Sequence, residues 1–372
     1  MSKSAIAQRI AVVAHDFAGG GTERIALRLA REWVTAGRTV VVLTALPDGP
    51  LAALLDPAIE LVIIGPGGAA HGDESLWSRR QFARAAGRWL ASHPVDALYI
   101  PGNYHFSMIG PIRRAAGADA PPIVAILSNP IERDDRRGWR RWLFRRVIGA
   151  SLAGAEAVVA LAPSLAREAD GLVGSERLNV IPNPVLDSLP PLSERAPRTG
   201  VVLVAAGRLM PQKNMALAIA ALAALDRRDA RLVLLGDGPE RAHLEALAQS
   251  LGVADRVEFA GHLPSIRAAL ERADLFLLPS TFEGYPAVVV EALAAGVAVV
   301  ATRCTPAIED MISDPRFGSI APADPAGFAA VIAERLTSEI PGAAEARRAS
   351  VERHLIGPIA AQLSQLFNRL AQ

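Results

Sequence analysis

The sequence is poor in cysteine: Cys304 is the only one among 372 residues. A single cysteine excludes an intramolecular disulfide and fits a reducing compartment. Cys304 follows an apolar run and reads as a small packed side chain. Long apolar runs are missing too. None approaches the ~20 residues that cross a bilayer as a helix. The run Ile10 to Ala14 is too short for the core of a signal peptide and stops at His15-Asp16. A cytoplasmic protein is expected, soluble or held peripherally at the inner face of the membrane. Neither charge is in excess, with 39 lysines and arginines against 38 aspartates and glutamates. That balance gives no general basis for binding nucleic acid. There is no D-x-D motif and no histidine–cysteine cluster at ligand spacing. The full G-x-G-x-x-G fingerprint is absent after the first apolar run, which argues against a dinucleotide dehydrogenase.

What is present is apolar and regularly spaced. Hydrophobic residues make up 51% of the chain and charged ones 21%, enough for two ordinary cores at this length. Short apolar runs lie at Ile10 to Ala14, Thr39 to Thr44, Ile59 to Ile64, Ala97 to Ile100, Ile123 to Leu127, Val158 to Leu161 and Asn179 to Ile181. A second series lies at Val201 to Ala206, Leu232 to Leu235, Val257 to Ala260, Leu275 to Pro279 and Val297 to Ala301. Helical patterns separate many of them, as at Leu76 to Leu90 and Gly327 to Leu336. Strands that are apolar throughout and alternate with helices predict doubly wound parallel sheets in an α/β protein. Pro182-Asn183-Pro184 opens a stretch rich in proline and polar residues that continues to about Arg198. It divides a first domain, 1–183, from a second, 199–354, with 184–198 as linker. The tail, 355–372, carries a final helical pattern.

The chemistry concentrates in Ser280 to Thr302. A strand there leads into the turn Glu283-Gly284-Tyr285, and Pro286 suits the first turn of a helix that ends at Gly296. Glu291 lies eight positions after Glu283, a little over two helical turns, so it faces back towards the turn. The free amides of Ala287 and Val288 open the helix, where an anion can be held. Two carboxylates and a helix start suit a ligand with hydroxyls and a phosphate. A structural reading needs only a charged helix start. Earlier, Gly207-Arg208-Leu209 and Gln212-Lys213-Asn214 place Arg208 and Lys213 around another helix start, as surface charges or as a pair on a diphosphate. In the first domain, Gly19-Gly20-Gly21 follows the first strand, with Gly21 or Thr22 as the helix cap. Such a loop is either a tight turn or a place where amides approach a phosphate.

The stretch F-E-G-Y-P-A-V-V-V-E-A-L-A-A-G resembles the E-x7-E signature of the retaining glycosyltransferases of family four, which have the GT-B fold. G-R-L-x-x-Q-K-N, the loop G-H-L at Gly261 to Leu263, G-G-G-T-E-R and I-P-N-P-V are similar to other stretches of that family. The resemblance implies two Rossmann-like domains facing a cleft, with the C-terminal helix crossing back to the first. It implies that Glu291 holds ribose hydroxyls, that Glu283 faces the donor sugar, and that Arg208 and Lys213 meet the diphosphate. Gly20, Gly21, Gly284, Tyr285, Pro286, Ala287 and Val288 would line the donor, with His262 and Leu263 at the base. The implied partners are a UDP- or GDP-sugar and a glycan or lipid-linked glycan acceptor, and the resemblance implies a transfer that needs no metal or other cofactor. One departure stands out. Many relatives carry histidine where this chain has Ser128, in Ser128-Asn129-Pro130. His15 is then a catalytic candidate, and Asp16, His105, Ser128 and Asn129 are acceptor-side candidates. A non-catalytic nucleotide-sugar-binding member, an epimerase or a phosphorylase of the same fold are the other readings.

Glu132 to Arg146 holds seven arginines and three acids. Trp139, Trp142, Leu143 and Val147 share one side of a helix there. The first reading packs that side on its own domain. The other, which suits relatives that use lipid-linked acceptors, makes Arg133 to Arg146 a patch for anionic lipid headgroups.

Overall fold

The computed structural model describes residues 6–17, 20–65, 76–132, 138–192, 199–338 and 340–372. Ala18 and Gly19, Arg133 to Arg137 and most of the linker's second half fall outside them. The chain forms two compact units, Met1–Pro184 with Ile356–Gln372, and Val185–Leu355.

The first unit runs β1 (Arg9–Val13), α1 (Gly21–Thr35), β2 (Thr39–Thr44), β3 (Glu60–Ile63), α2 (Leu76–Ser92), β4 (Ala97–Ile100), α3 (Phe106–Ala116), β5 (Ile123–Leu127), α4 (Trp139–Leu152), β6 (Ala157–Ala160), α5 (Pro163–Ala169) and β7 (Leu178–Val180). Its sheet is parallel with order β3-β2-β1-β4-β5-β6-β7. The central strands β1, β4, β5 and β6 are buried almost along their whole length, which explains why they are written as unbroken apolar runs.

The second unit runs β8 (Val201–Ala206), α6 (Met215–Ala224), β9 (Ala230–Leu235), α7 (Arg241–Ser250), β10 (Val257–Gly261), α8 (Arg267–Leu270), β11 (Leu275–Leu278), α9 (Ala287–Ala294), β12 (Ala298–Ala301), α10 (Ala307–Met311), β13 (Gly318–Ile320), α11 (Pro325–Thr337) and α12 (Ala343–Ser350). Its sheet is parallel too, in the order β10-β9-β8-β11-β12-β13. Two apolar cores fill its faces, one between the sheet and α6, α7 and α11, the other under α9 and α10.

The last helix, α13 (Ile356–Leu370), belongs to the first unit. It lies on α1 through Trp33, whose ring stands edge-on to Phe367 at 5.2 Å and whose Nε1 donates to Ala360 O at 3.1 Å. Both units are therefore doubly wound α/β sheets, as the alternation of apolar runs and helical patterns requires.

The structure departs from the sequence reading in a few places. Gly20 caps α1, not Gly21 or Thr22, because its backbone is extended (φ −69°, ψ 148°) and the helix begins at Gly21. The edge strand β13 carries no apolar signature. A Cβ at Gly318 would lie 2.2 Å from Val299 O, so close pairing with β12 requires glycine there. Helix α3, which the sequence reading does not include, continues through Pro111. In α4 the inner side is Ile148 and Leu152, while Trp139, Trp142, Leu143 and Val147 are 69%, 59%, 46% and 53% exposed. The apolar side that the sequence reading packs on its own domain is thus uncovered. Arg145 and Arg141 both pair with Glu132, which lies before the helix.

Candidate active site

In each sheet the strand order reverses once, between β1 and β4 and between β8 and β11. Chain leaving two adjacent strands in opposite directions opens a crevice at their carboxyl ends, where open α/β sheets bind ligands. The candidate residues collect at these two points.

In the second unit the loops after β8, β9 and β10 and the start of α9 enclose a cleft of about 600 Å³. Gly207, Arg208, Asp237, His262, Leu263, Val288 and Glu291 are among its walls. Their convergence depends on close backbone packing. Gly236 has φ +132°, and a Cβ on it would lie 2.0 Å from Gly207 O. Only glycine allows the β8 and β9 loops to touch there. Arg208, His262 and Leu263 are exposed, so their side chains are open to a ligand. Asp237 closes its own turn, its Oδ1 accepting Gly238 N at 2.8 Å.

Beside the cleft stands an ion pair. Lys213 Nζ lies 2.6 Å from Glu283 Oε1, and Ser280 Oγ donates to the same oxygen at 2.6 Å. The Glu283 side chain is only 9% exposed. The lysine stem passes over Gly207, whose added Cβ would lie 3.2 Å from Lys213 Cδ, so the pair reaches the cleft wall. Gln212 fixes the two loops together: its Nε2 donates to Phe282 O at 2.8 Å, and its carbonyl accepts Thr281 N at 2.9 Å. Lys213 and Glu283 thus neutralise each other, whereas the sequence reading gives them separate targets. The reading also missed Ser280 and Gln212 as supports, although both stand inside the motifs it used.

Not every candidate faces this cleft. Pro286 caps α9, and Ala287 opens it. Gly284 O accepts Thr305 Oγ1 at 2.9 Å. Tyr285, a donor-binding candidate by sequence, turns its ring into the core beneath α9 and sets its hydroxyl 3.3 Å from His354 Nε2. Burial pushes that phenol above its ordinary pKa. Its side chain therefore supports the loop from the core side. Cys304 is packed below the loop, where burial and the nearby Glu283 carboxylate push its thiol up to about 12. An inert thiol follows, as expected of a packed residue.

In the first unit, His15, Asp16, Gly20 and His105 gather at the β1/β4 reversal. His15 is buried, edge-on to Phe82 at 5.4 Å, with Nδ1 3.6 Å from Asp16 Oδ2. His105 is completely buried, its Nε2 3.8 Å from Glu23 Oε1. Burial, then the neighbouring His15, pushes its pKa down to about 3, so it stays neutral. A side chain without exposed surface offers no contact to an acceptor, which corrects His105 from an acceptor-side candidate to a packed one. Ser128 and Asn129 are held by Asn103, whose Oδ1 accepts both their amides at 2.9 and 3.2 Å and whose Nδ2 donates to Asn129 O at 3.0 Å. At Gly102 an added Cβ would lie 2.7 Å from Thr22 and 2.9 Å from Ser128 Oγ. The start of α1 and the end of β5 therefore both close on Gly102, after β4. Gly20 and Gly21 are exposed at the α1 start.

Known proteins share both halves of this arrangement. Residues 20–184 match the family described as glycosyl transferase 4-like domain, and residues 200–338 match glycosyl transferases group 1. Glycogen synthase of Mycobacterium tuberculosis is 30% identical over 275 residues, 72% of this chain and 62% of that protein. The lipopolysaccharide core biosynthesis glycosyltransferase LpsE of Rhizobium meliloti is 34% identical over 152 residues, 40% of this chain and 44% of its own length. The chain thus spans less than two thirds of the length of either relative. Among solved structures, Anabaena HepE in complex with UDP and glucose superposes with a TM-score of 0.74 at 18% identity, covering 97% of this chain and 99% of that one. With glycosyltransferase matches on both units and the two-sheet fold common to these structures, the chain belongs to the GT-B glycosyltransferases.

Proposed function

We propose that the protein is a retaining glycosyltransferase of family four. It would move a hexosyl group from a UDP- or GDP-sugar to a glycan or a lipid-linked glycan. One observation carries this reading: Arg208, His262, Leu263, Val288 and Glu291 share a single cleft at the strand reversal of the second unit, with Lys213 and Glu283 beside it. Glu291 suits ribose hydroxyls, and the exposed loop at His262 suits the base. Arg208 and the amides of Ala287 and Val288 suit the diphosphate. Lys213 would exchange Glu283 for the diphosphate on donor binding, freeing the Glu283 carboxylate for the sugar hydroxyls. Charge growing on the leaving diphosphate would then be met by Arg208 and Lys213 rather than by a bound metal. HepE has been solved with UDP and glucose, and LpsE is named for lipopolysaccharide core synthesis. Both support a nucleotide-sugar donor and a glycan acceptor. In the first unit, Asp16, Ser128 and Asn129 are the acceptor-side candidates, and His15 is the catalytic candidate.

The uncovered side of α4 favours an anionic lipid surface as a further contact. Exposed tryptophans stand among Arg140, Arg141 and Arg146, with Arg146 over Trp142 at 5.0 Å. Among the described residues no helix is long and apolar enough to cross a membrane. A peripheral position at the inner, cytoplasmic face is the matching location.

Calorimetric titration with UDP, GDP and ADP, each with and without magnesium, tests the donor reading. The expected result is binding of UDP or GDP that magnesium does not change and that Glu291→Ala removes. Binding of none of them would overturn it.

A further inference from the structure

The loop Glu283 to Pro286 is held by its backbone on one side and by one side chain on the other. Glu283 N donates to Cys304 O at 2.9 Å, and Gly284 O accepts Thr305 Oγ1 at 2.9 Å. Tyr285 points the other way, to His354. His354 is an unusual anchor because of its place in the chain. The first unit ends at Pro184 and resumes at Ile356, so the chain crosses between units twice. Val185 N and Leu186 N both donate to the carbonyl of His354 at 3.1 Å, and Leu186 bridges to Leu355 in parallel. The outgoing and returning crossings are therefore tied together at one buried residue, and its ring meets the loop beside the cleft.

The ring contact is a shared one. A neutral imidazole has a single acceptor nitrogen. Tyr285 Oη approaches Nε2 at 3.3 Å, and Arg353 Nε approaches the same atom at 3.4 Å. Both distances are long for a well-made hydrogen bond. One lone pair cannot serve two donors well, so the two contacts compete for it.

We propose that Tyr285 and His354 are a positioning pair through which the sugar-side loop and the two chain crossings set each other's geometry. The ligand in this proposal rests on the nucleotide-sugar reading above; the coupling itself does not. Linkage makes the effect reciprocal: whatever the donor does to the crossings, the crossings do to donor affinity.

The test is hydrogen exchange on the full chain, read at the Val185 and Leu186 amides, without ligand and with saturating UDP-glucose or GDP-mannose. Without ligand, Tyr285→Phe should exchange several-fold faster than wild type at these two amides. The sugar nucleotide that binds should slow them in wild type and much less in Tyr285→Phe. His354→Gln, which still offers Tyr285 an acceptor, should keep the slowing, and His354→Leu should lose it. A hydroxyl with only a packing role would leave Val185 and Leu186 unchanged in Tyr285→Phe, and that result overturns the proposal. If neither sugar nucleotide binds wild type, the donor reading fails, while the ligand-free comparison still decides the coupling.

Discussion

At the scale of single residues, two buried groups give opposite lessons. Glu283 is readable because it stands in a worded motif, yet its state is not: the partner Lys213 is 70 positions away in sequence. Only folding brings the β8 and β11 loops together and shows the carboxylate already paired. Glu283→Gln keeps the volume and an acceptor for Ser280 but removes the charge. Transfer is expected to fall by about 100-fold to 1,000-fold, the usual cost of a lost electrostatic contact in a transition state. The melting temperature should stay near that of wild type, since Lys213 is partly exposed and can find water. Transfer at the wild-type rate would remove Glu283 from the site. His105 shows the reverse. Its position after β4 draws attention, but burial takes it out of reach of substrate. Its folded pKa, about 3, lies below its ordinary 6.5, so the unfolded chain takes up a proton first as pH falls. The stabilisation is whole above about 6.5 and is lost towards 3, on the order of a few kcal/mol by pH 4. Denaturant midpoints measured between pH 7 and 4 should fall steeply in wild type and less steeply in His105→Leu. Parallel curves would show that another group governs the acid limb.

At the scale of elements, strands were the legible part. Strands buried on both faces must be apolar at every position, and short apolar runs between helical patterns have few other uses. The elements that escaped lack that mark: β13 is three residues long and begins with a glycine, and α3 contains Pro111. Helix α4 shows a further limit. Periodicity finds its two sides but cannot say whether anything covers them. The covered side proves to be the slighter one, and the tryptophan side is bare. That separation permits a clean test. Replacing Trp139 and Trp142 together by alanine should change stability by less than about 1 kcal/mol, as exposed positions do. The same double variant should lose sedimentation with anionic vesicles, while wild type sediments with them, ignores neutral ones and is released by salt. If wild type ignores both kinds of vesicle, the lipid reading of α4 is wrong.

At the scale of the molecule, each unit owns a sheet and a core, and the cleft lined by Arg208, His262 and Glu291 lies in the second. The C-terminal helix belongs to the first unit although the chain reaches it last, which only the family resemblance announced; its contact residue Trp33 looks in the sequence like any apolar helix position. Two consequences can be separated by calorimetry. Trp33→Ala removes the ring between Phe367 and Tyr99 and its bond to Ala360, at a cost of about 3–5 kcal/mol. Because that loss falls in the first unit, its heat-absorption peak should move down and separate from that of the second. A nucleotide bound only to the folded second unit stabilises it by about 2.7 kcal/mol at a concentration 100 times its Kd. UDP should therefore raise the upper peak of Trp33→Ala and leave the lower one in place. A single peak that both the substitution and UDP move together would mean that the units unfold as one body, and that the donor site depends on the first unit for its stability.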